Sequence, residues 1–158
     1  MAKLKTHALI IGAGTGGYPC AIRLGQLKVE TMLIEKDQPG GVCLNWGCIP
    51  SKALISATKL YHKAQHAKTM GLSFGTAEVD MVQMQAWKKT VVSKLTGGVR
   101  SLVKSNGAQY VAGTAKFLNP KTVQVTYADG KPSDEIEADY FVIATGSVPI
   151  QIPGFVVD

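Results

Sequence analysis

Cys43 and Cys48 stand five positions apart in the segment Gly40-Gly41-Val42-Cys43-Leu44-Asn45-Trp46-Gly47-Cys48-Ile49-Pro50-Ser51-Lys52. Two thiols this close can exchange electrons by opening and closing a disulfide, provided the chain lets them meet. On a regular helix, Cα atoms five residues apart lie about 8.6 Å from one another, beyond the roughly 7 Å that a disulfide spans. A bond here therefore requires a distorted first turn, which Gly41, Gly47 and Pro50 permit. Strained or exposed disulfides are the labile, catalytic kind, and a helix N-terminus lowers the pKa of a nearby thiol. Two other readings stand beside this one. Zinc needs two further ligands, and His7, His62 and His66 supply no compact second pair, so no metal site is expected. Two thiols packed inertly in a core is the other.

A second set of residues has a different chemistry. Gly12-Ala13-Gly14-Thr15-Gly16-Gly17 puts glycines at the first, third and sixth positions of G-x-G-x-x-G. The first allows a tight turn, the second lets a pyrophosphate approach the backbone, and the third lets a helix pack closely on a strand. Anions are attracted to the helix N-terminus so formed. Glu35, at the end of the next predicted strand, places a carboxylate where ribose hydroxyls would lie. The bland alternative is a glycine turn with no ligand. Cys20 reads as a small buried hydrophobe, and the three histidines as structural or surface residues.

These groups need elements to hold them. The apolar run at residues 7–11 stops at glycine, as a buried parallel strand does. Tyr18, Ala21, Ile22, Leu24 and Leu27 recur at helical spacing, and residues 31–35 read as a second strand, completing a βαβ unit. The loop at 39–41 leads into a helix expected from Pro50 to about Met70, so that the two cysteines sit on a helical stretch of about residues 42–70. The segment 82–104 predicts a long helix, spanning about 80–105, with Trp87, Val91, Leu95, Val99, Leu102 and Val103 on its buried face; Gly97-Gly98 weakens its middle. Alternation over residues 109–112 and 121–127, with a turn at Asp129-Gly130, predicts a small antiparallel meander over about 108–135. Residues 140–144 are again a continuous apolar run. The expected fold class is α/β, a Rossmann-type domain with a parallel sheet, a helical insertion at 50–105 and that meander.

Composition agrees with one globular domain. The 158 residues are 46% hydrophobic and 18% charged, a balance that excludes a disordered tail, a collagen-like fibre and a disulfide-stapled miniprotein. No stretch approaches the run of about 20 apolar residues that crosses a bilayer, so neither a signal peptide nor a membrane anchor is expected. Three cysteines, an odd count, suit a reducing compartment and a cytoplasmic protein. The net charge of +6 is uneven: residues 81–120 carry six cations and no acid, whereas 121–158 carry two lysines and six acids. That hints at an anionic partner. Without interleaved aromatics the cations read as the solvated side of a helix, and nucleic-acid binding is not expected.

Taken together, Gly12-x-Gly14-x-x-Gly17, Glu35-Lys36, the cysteine segment at 40–52 and Ala144-Thr145-Gly146-Ser147 resemble the pyridine nucleotide-disulfide oxidoreductases. Leu44 and Ile49, where other branches usually carry valine, make the cysteine segment most similar to the branch that oxidises dihydrolipoamide. The similarity continues through Trp87-Lys88-Lys89 and Leu95-Thr96-Gly97-Gly98. The resemblance implies that Gly12, Gly14 and Gly17 hold the pyrophosphate of FAD and that Glu35 binds its ribose. It also implies that Lys36, Gly41, Val42 and Cys43 line the cofactor, Lys52 lies near the flavin ring, Ala115 near the adenine, and Thr145-Gly146 close the site. By the same resemblance Cys43 is the outer thiol that meets lipoamide and Cys48 the inner thiol that faces the flavin, with NAD as the final acceptor. The implied partners are the lipoyl domain of a 2-oxoacid dehydrogenase complex and a second copy of the full-length enzyme; neither a membrane nor a nucleic acid is among them. Family enzymes are considerably longer, with an NAD unit, an interface domain and a His-Glu pair that have no counterpart here. The expectation is an N-terminal piece of the FAD domain, ending after Gly146-Ser147-Val148-Pro149 and inactive alone. A related disulfide reductase with another substrate and a non-catalytic nucleotide-binding module are the alternatives.

Overall fold

The computed structural model describes residues 2–148 and 150–155; Pro149, which closes the last sequence motif, lies outside them. In chain order the elements are β1 (Lys3–Ile11), α1 (Gly17–Gln26), β2 (Thr31–Glu35), α2 (Gly41–Asn45), α3 (Cys48–His66), a 3₁₀ turn (Ala67–Met70), α4 (Met81–Ser105), β3 (Gln109–Asn119), β4 (Thr122–Tyr127) and β5 (Asp134–Ile143).

The strands form one mixed sheet that closes on itself in the order β1-β2-β3-β4-β5. β1 runs parallel to β2, with Ile10 opposite Leu33, and parallel to β5, with Ile10 opposite Val142. β2 runs parallel to the start of β3, while β4 is antiparallel to both β3 and β5. This alters the expected picture, in which a meander at 108–135 stood apart from a parallel sheet. β3 and β5 are long strands that each serve two partners. Residues 109–112 of β3 pair with β2 and residues 113–119 with β4, while β5 pairs with β1 over residues 135–143 and with β4 over residues 134–137. A strand has two hydrogen-bonding edges, so one continuous strand can serve both sets, and the period-2 pattern looks the same in either.

Alternate residues of β1 and β2 enter two cores. Leu9 and Ile34 join Val111, Val123, Val125 and Ile136 inside the closed sheet. Ile10 and Leu33 join Ala21, Val103 and Ala108 beneath α1 and α4. Both faces are covered, which is why these strands read as unbroken apolar runs. β1 starts earlier than expected because residues 3–6 pair with Glu135–Ala138. At the seam, Asp134 accepts from the Ala2 backbone N–H at 2.6 Å and from the Tyr127 hydroxyl at 3.0 Å. These bonds, the first foremost, hold its carboxyl below the usual aspartate range.

α4 is one helix through Gly97-Gly98, capped by Asp80, whose side chain accepts from Gln83 N–H at 2.9 Å. Its buried residues are Thr96, Val99 and Val103. The expected buried stripe is corrected here: Trp87, Leu95 and Leu102 are 45%, 42% and 51% exposed. Val99 and Val103 of the expected face are buried, joined by Thr96, which finds a hydrogen-bond partner in Asn45. Among the described residues no helix is long and apolar enough to cross a membrane.

Candidate functional site

The turn between β1 and α1 shows why small residues stand there. Gly12 has φ +102°, in the region that disfavours any side chain. Its N–H donates to Ile34 O at 2.8 Å, so the turn is tied to the end of β2. A Cβ at Gly17 would overlap the carbonyl of Gly12, so the first turn of α1 packs directly on the loop that precedes it. Gly17 and Tyr18 N–H both donate to Gly14 O. No side chain caps α1, and its first turn holds no acid. The positive end of its dipole is therefore not neutralised by any acidic side chain of its first turn and can attract an outside anion.

This turn is one wall of a cavity of about 620 Å³, within the range of small-molecule sites. It opens at the C-terminal ends of β1, β2 and β5, the usual place for ligands in open α/β sheets. Of the residues singled out in the sequence, Gly12, Gly14, Glu35, Lys36, Gly41, Val42, Cys43, Ala115, Thr145 and Gly146 line it. Gly17 supports it from below. Lys52 and Cys48 are exposed on α3 and are not in its wall. Asn45 and Trp46, which the sequence reading passed over, are in the wall.

Glu35 is not an idle carboxylate. One oxygen accepts the Ala13 N–H at 2.6 Å and the other accepts the Asp37 N–H at 2.9 Å. An ionised carboxylate offers about four acceptor positions, so both oxygens can still accept from hydroxyls in the cavity. With an uncapped helix terminus at one end and this carboxylate at another, the wall fits a dinucleotide bearing a pyrophosphate and a ribose diol.

Cys43 and Cys48 form a disulfide, with Cα atoms 4.7 Å apart. Instead of one helical stretch over residues 42–70, the chain makes α2, breaks at Trp46-Gly47 and restarts as α3. Gly47 at φ −122°, ψ −96° makes the break. This is the distorted turn that the spacing requires, and the break shortens the Cα separation that a continuous helix would impose. Cys43 is half-buried in the cavity wall and Cys48 is exposed. Cys48 is thus the more exposed residue of the pair. Cys20 is a free thiol and only half-buried, packed at the margin of the α1 core rather than inside it. His62 and His66 are exposed and stacked on α3, and exposed His7 pairs with Asp139 at 2.8 Å. Among the described residues no group of three or more His, Cys, Asp or Glu could hold a metal ion.

The disulfide turn is anchored by Asn45. Its amide nitrogen donates to Gly41 O at 3.0 Å and Pro39 O at 3.2 Å, while its oxygen accepts from the Thr96 hydroxyl of α4 at 2.9 Å. Gly40 N–H donates in turn to Ala13 O at 2.8 Å. Gly41 comes so close to Gly14 that a Cβ on it would lie 2.7 Å from the Gly14 Cα.

The chain is similar to known proteins over nearly its whole length. The family model described as pyridine nucleotide-disulphide oxidoreductase matches residues 6–156. The chain belongs to that family. Among curated relatives, a dihydrolipoyl dehydrogenase of Haloferax volcanii is 50% identical over 151 residues, covering 95% of this chain and 32% of the relative. One from Geobacillus stearothermophilus is 45% identical over 152 residues, covering 96% and 32%. Among solved structures, the Cu(II) complex of RclA, a HOCl-induced flavoprotein disulfide reductase of Escherichia coli, matches with a TM-score of 0.74 at 28% identity, over 94% of this chain and 30% of that one. The chain spans about a third of the length of the relatives it matches.

Proposed function

We propose that the chain is the N-terminal part of a Rossmann-type, FAD-binding domain belonging to a dihydrolipoyl dehydrogenase. The observation that carries this reading is the Cys43–Cys48 disulfide beside a glycine-floored cavity, in a chain 42–50% identical to proteins of that name. In the reaction a dihydrolipoamide thiolate attacks one sulfur of the disulfide. Its second thiol then displaces the mixed disulfide, leaving lipoamide oxidised and Cys43 and Cys48 as two thiols. Two electrons and two protons have moved, and the thiols must give them up to restore the disulfide. The chemistry a bound flavin supplies is to accept that pair and return it as hydride to NAD.

The chain's own residues do the rest. Gly12, Gly14 and the N-terminus of α1 receive the pyrophosphate, and Glu35 accepts from the ribose hydroxyls. Lys36, Gly41, Val42, Ala115, Thr145 and Gly146 shape the cavity, and α2 holds Cys43 against its wall. Lys52 is assigned to the flavin end, on α3 beyond the present wall. We assign Cys43 to substrate and Cys48 to the flavin on the family pattern, and the partner to a lipoyl domain of a 2-oxoacid dehydrogenase complex. A homodimeric full-length enzyme in a reducing, cytoplasmic setting completes the reading.

Exposure to dihydrolipoamide tests it. The oxidised chain should gain two thiols and release one equivalent of lipoamide, and Cys43→Ser should abolish both. A disulfide that dithiothreitol reduces fully but dihydrolipoamide leaves intact would point to another disulfide substrate.

A further inference from the structure

Thr96 carries none of the roles above, yet its hydroxyl bonds α4 to the disulfide turn. Thr96 is 8% exposed, and its partner Asn45 lies two residues after Cys43, in the same short helix. Asn45 spends every polar atom of its side chain on this turn: the amide hydrogens go to Gly41 O and Pro39 O, and the oxygen takes the Thr96 hydroxyl. Gly40 then passes the tie to the glycine loop through Ala13 O. α2 is only five residues long and its caps involve no side chain. Once the covalent link opens, what remains besides these bonds is the buried Leu44 and the backbone bonds from Trp46 and Gly47 to Val42 O.

We infer that Thr96 is a positioning residue for the Cys43–Cys48 pair, acting through Asn45 to keep the two sulfurs within bonding reach when they are reduced. In the oxidised protein the disulfide itself fixes the turn. In the dithiol that link is gone, and the Asn45–Thr96 bond remains to tie α2 to α4, against which α3 also packs. Loss of the Thr96 hydroxyl leaves the Asn45 oxygen without its donor and loosens the dithiol more than the disulfide. The effective concentration of one thiol for the other falls, and the equilibrium moves toward the reduced form. The inference rests on the proposed redox role of the pair, and its test separates the two.

The 158-residue chain is equilibrated with mixtures of reduced and oxidised dithiothreitol and its thiols are counted. The exchange is balanced: protein disulfide plus dithiol gives two protein thiols plus the cyclic disulfide of dithiothreitol. Thr96→Val, of similar shape and without the hydroxyl, should shift the equilibrium constant toward the protein dithiol by roughly three- to tenfold, a tenfold shift being about 30 mV. Thr96→Ser should restore the wild-type value. A side chain that merely fills space would lower the melting temperature of oxidised and reduced protein alike and leave this constant unchanged. Thr96→Val at the wild-type equilibrium, or Thr96→Ser shifted as far as Thr96→Val, overturns the inference while leaving the redox function intact. If Thr96→Val does not fold, Thr96→Ala replaces it; failure of both to fold assigns the residue to the fold alone and also overturns it. A wild-type disulfide that dithiothreitol cannot open removes both proposals together.

Discussion

The Gly17–Gly12 contact is where the turn tolerates least. A methyl group at Gly17 would overlap the carbonyl oxygen of Gly12, a backbone atom of the residue whose N–H ties the turn to the end of β2. Gly17→Ala should therefore cost about 3 kcal/mol, the upper end of what overpacking costs, and should weaken FAD binding more than it perturbs the disulfide. Chemical denaturation with flavin titration would check this; a stable variant with unchanged flavin affinity would mean that α1 does not rest on the loop as described. The sequence motif made these glycines legible because each has a geometric reason tied to spacing. Asn45 and Thr96 were not legible. They lie 51 positions apart, and an asparagine or a buried threonine carries no signature until the fold brings α2 and α4 together. The differing exposure of Cys43 and Cys48 was hidden for the same reason: sequence spacing says that two sulfurs can meet, not which one a wall will cover.

Among the elements, α4 carries the clearest contrast between pattern and packing. Of the face its apolar spacing predicts, Val99 and Val103 are buried with Thr96 beside them, whereas the larger Trp87, Leu95 and Leu102 stay partly exposed. Hydrophobicity ranks side chains by transfer free energy, and Thr96 is buried at little cost only because Asn45 accepts its hydroxyl. Gly97 and Gly98 lie on the exposed side, and a Cβ at either would meet nothing within 4 Å. Their flexibility serves no contact, so Gly97→Ala should stabilise the protein by about 0.8–1.0 kcal/mol through helix propensity. A lower melting temperature would show that this part of the helix needs its flexibility. The break at Trp46-Gly47 was readable in kind, since the cysteine spacing demands a distorted turn. Its position was not, because Pro50, within α3 two residues after Cys48, looked like the natural start of a helix.

For the whole molecule, the βαβ unit and the apolar strand runs were plain in the sequence because both faces of those strands are buried. The closure of the sheet was not. It depends on β3 and β5 each serving two partners, and period-2 alternation carries no record of which neighbour lies on which edge. Closure matters for the site: it brings Ala115 and Thr114 of β3 and Thr145 after β5 around to the cavity that β1, β2 and α2 begin. If this cavity and the Cys43–Cys48 disulfide form one redox site, the visible absorption spectrum of the purified chain should show a flavin band, and thiols counted before and after mild reduction should number one, from Cys20, and then three. A colourless protein with three free thiols from the outset would contradict it.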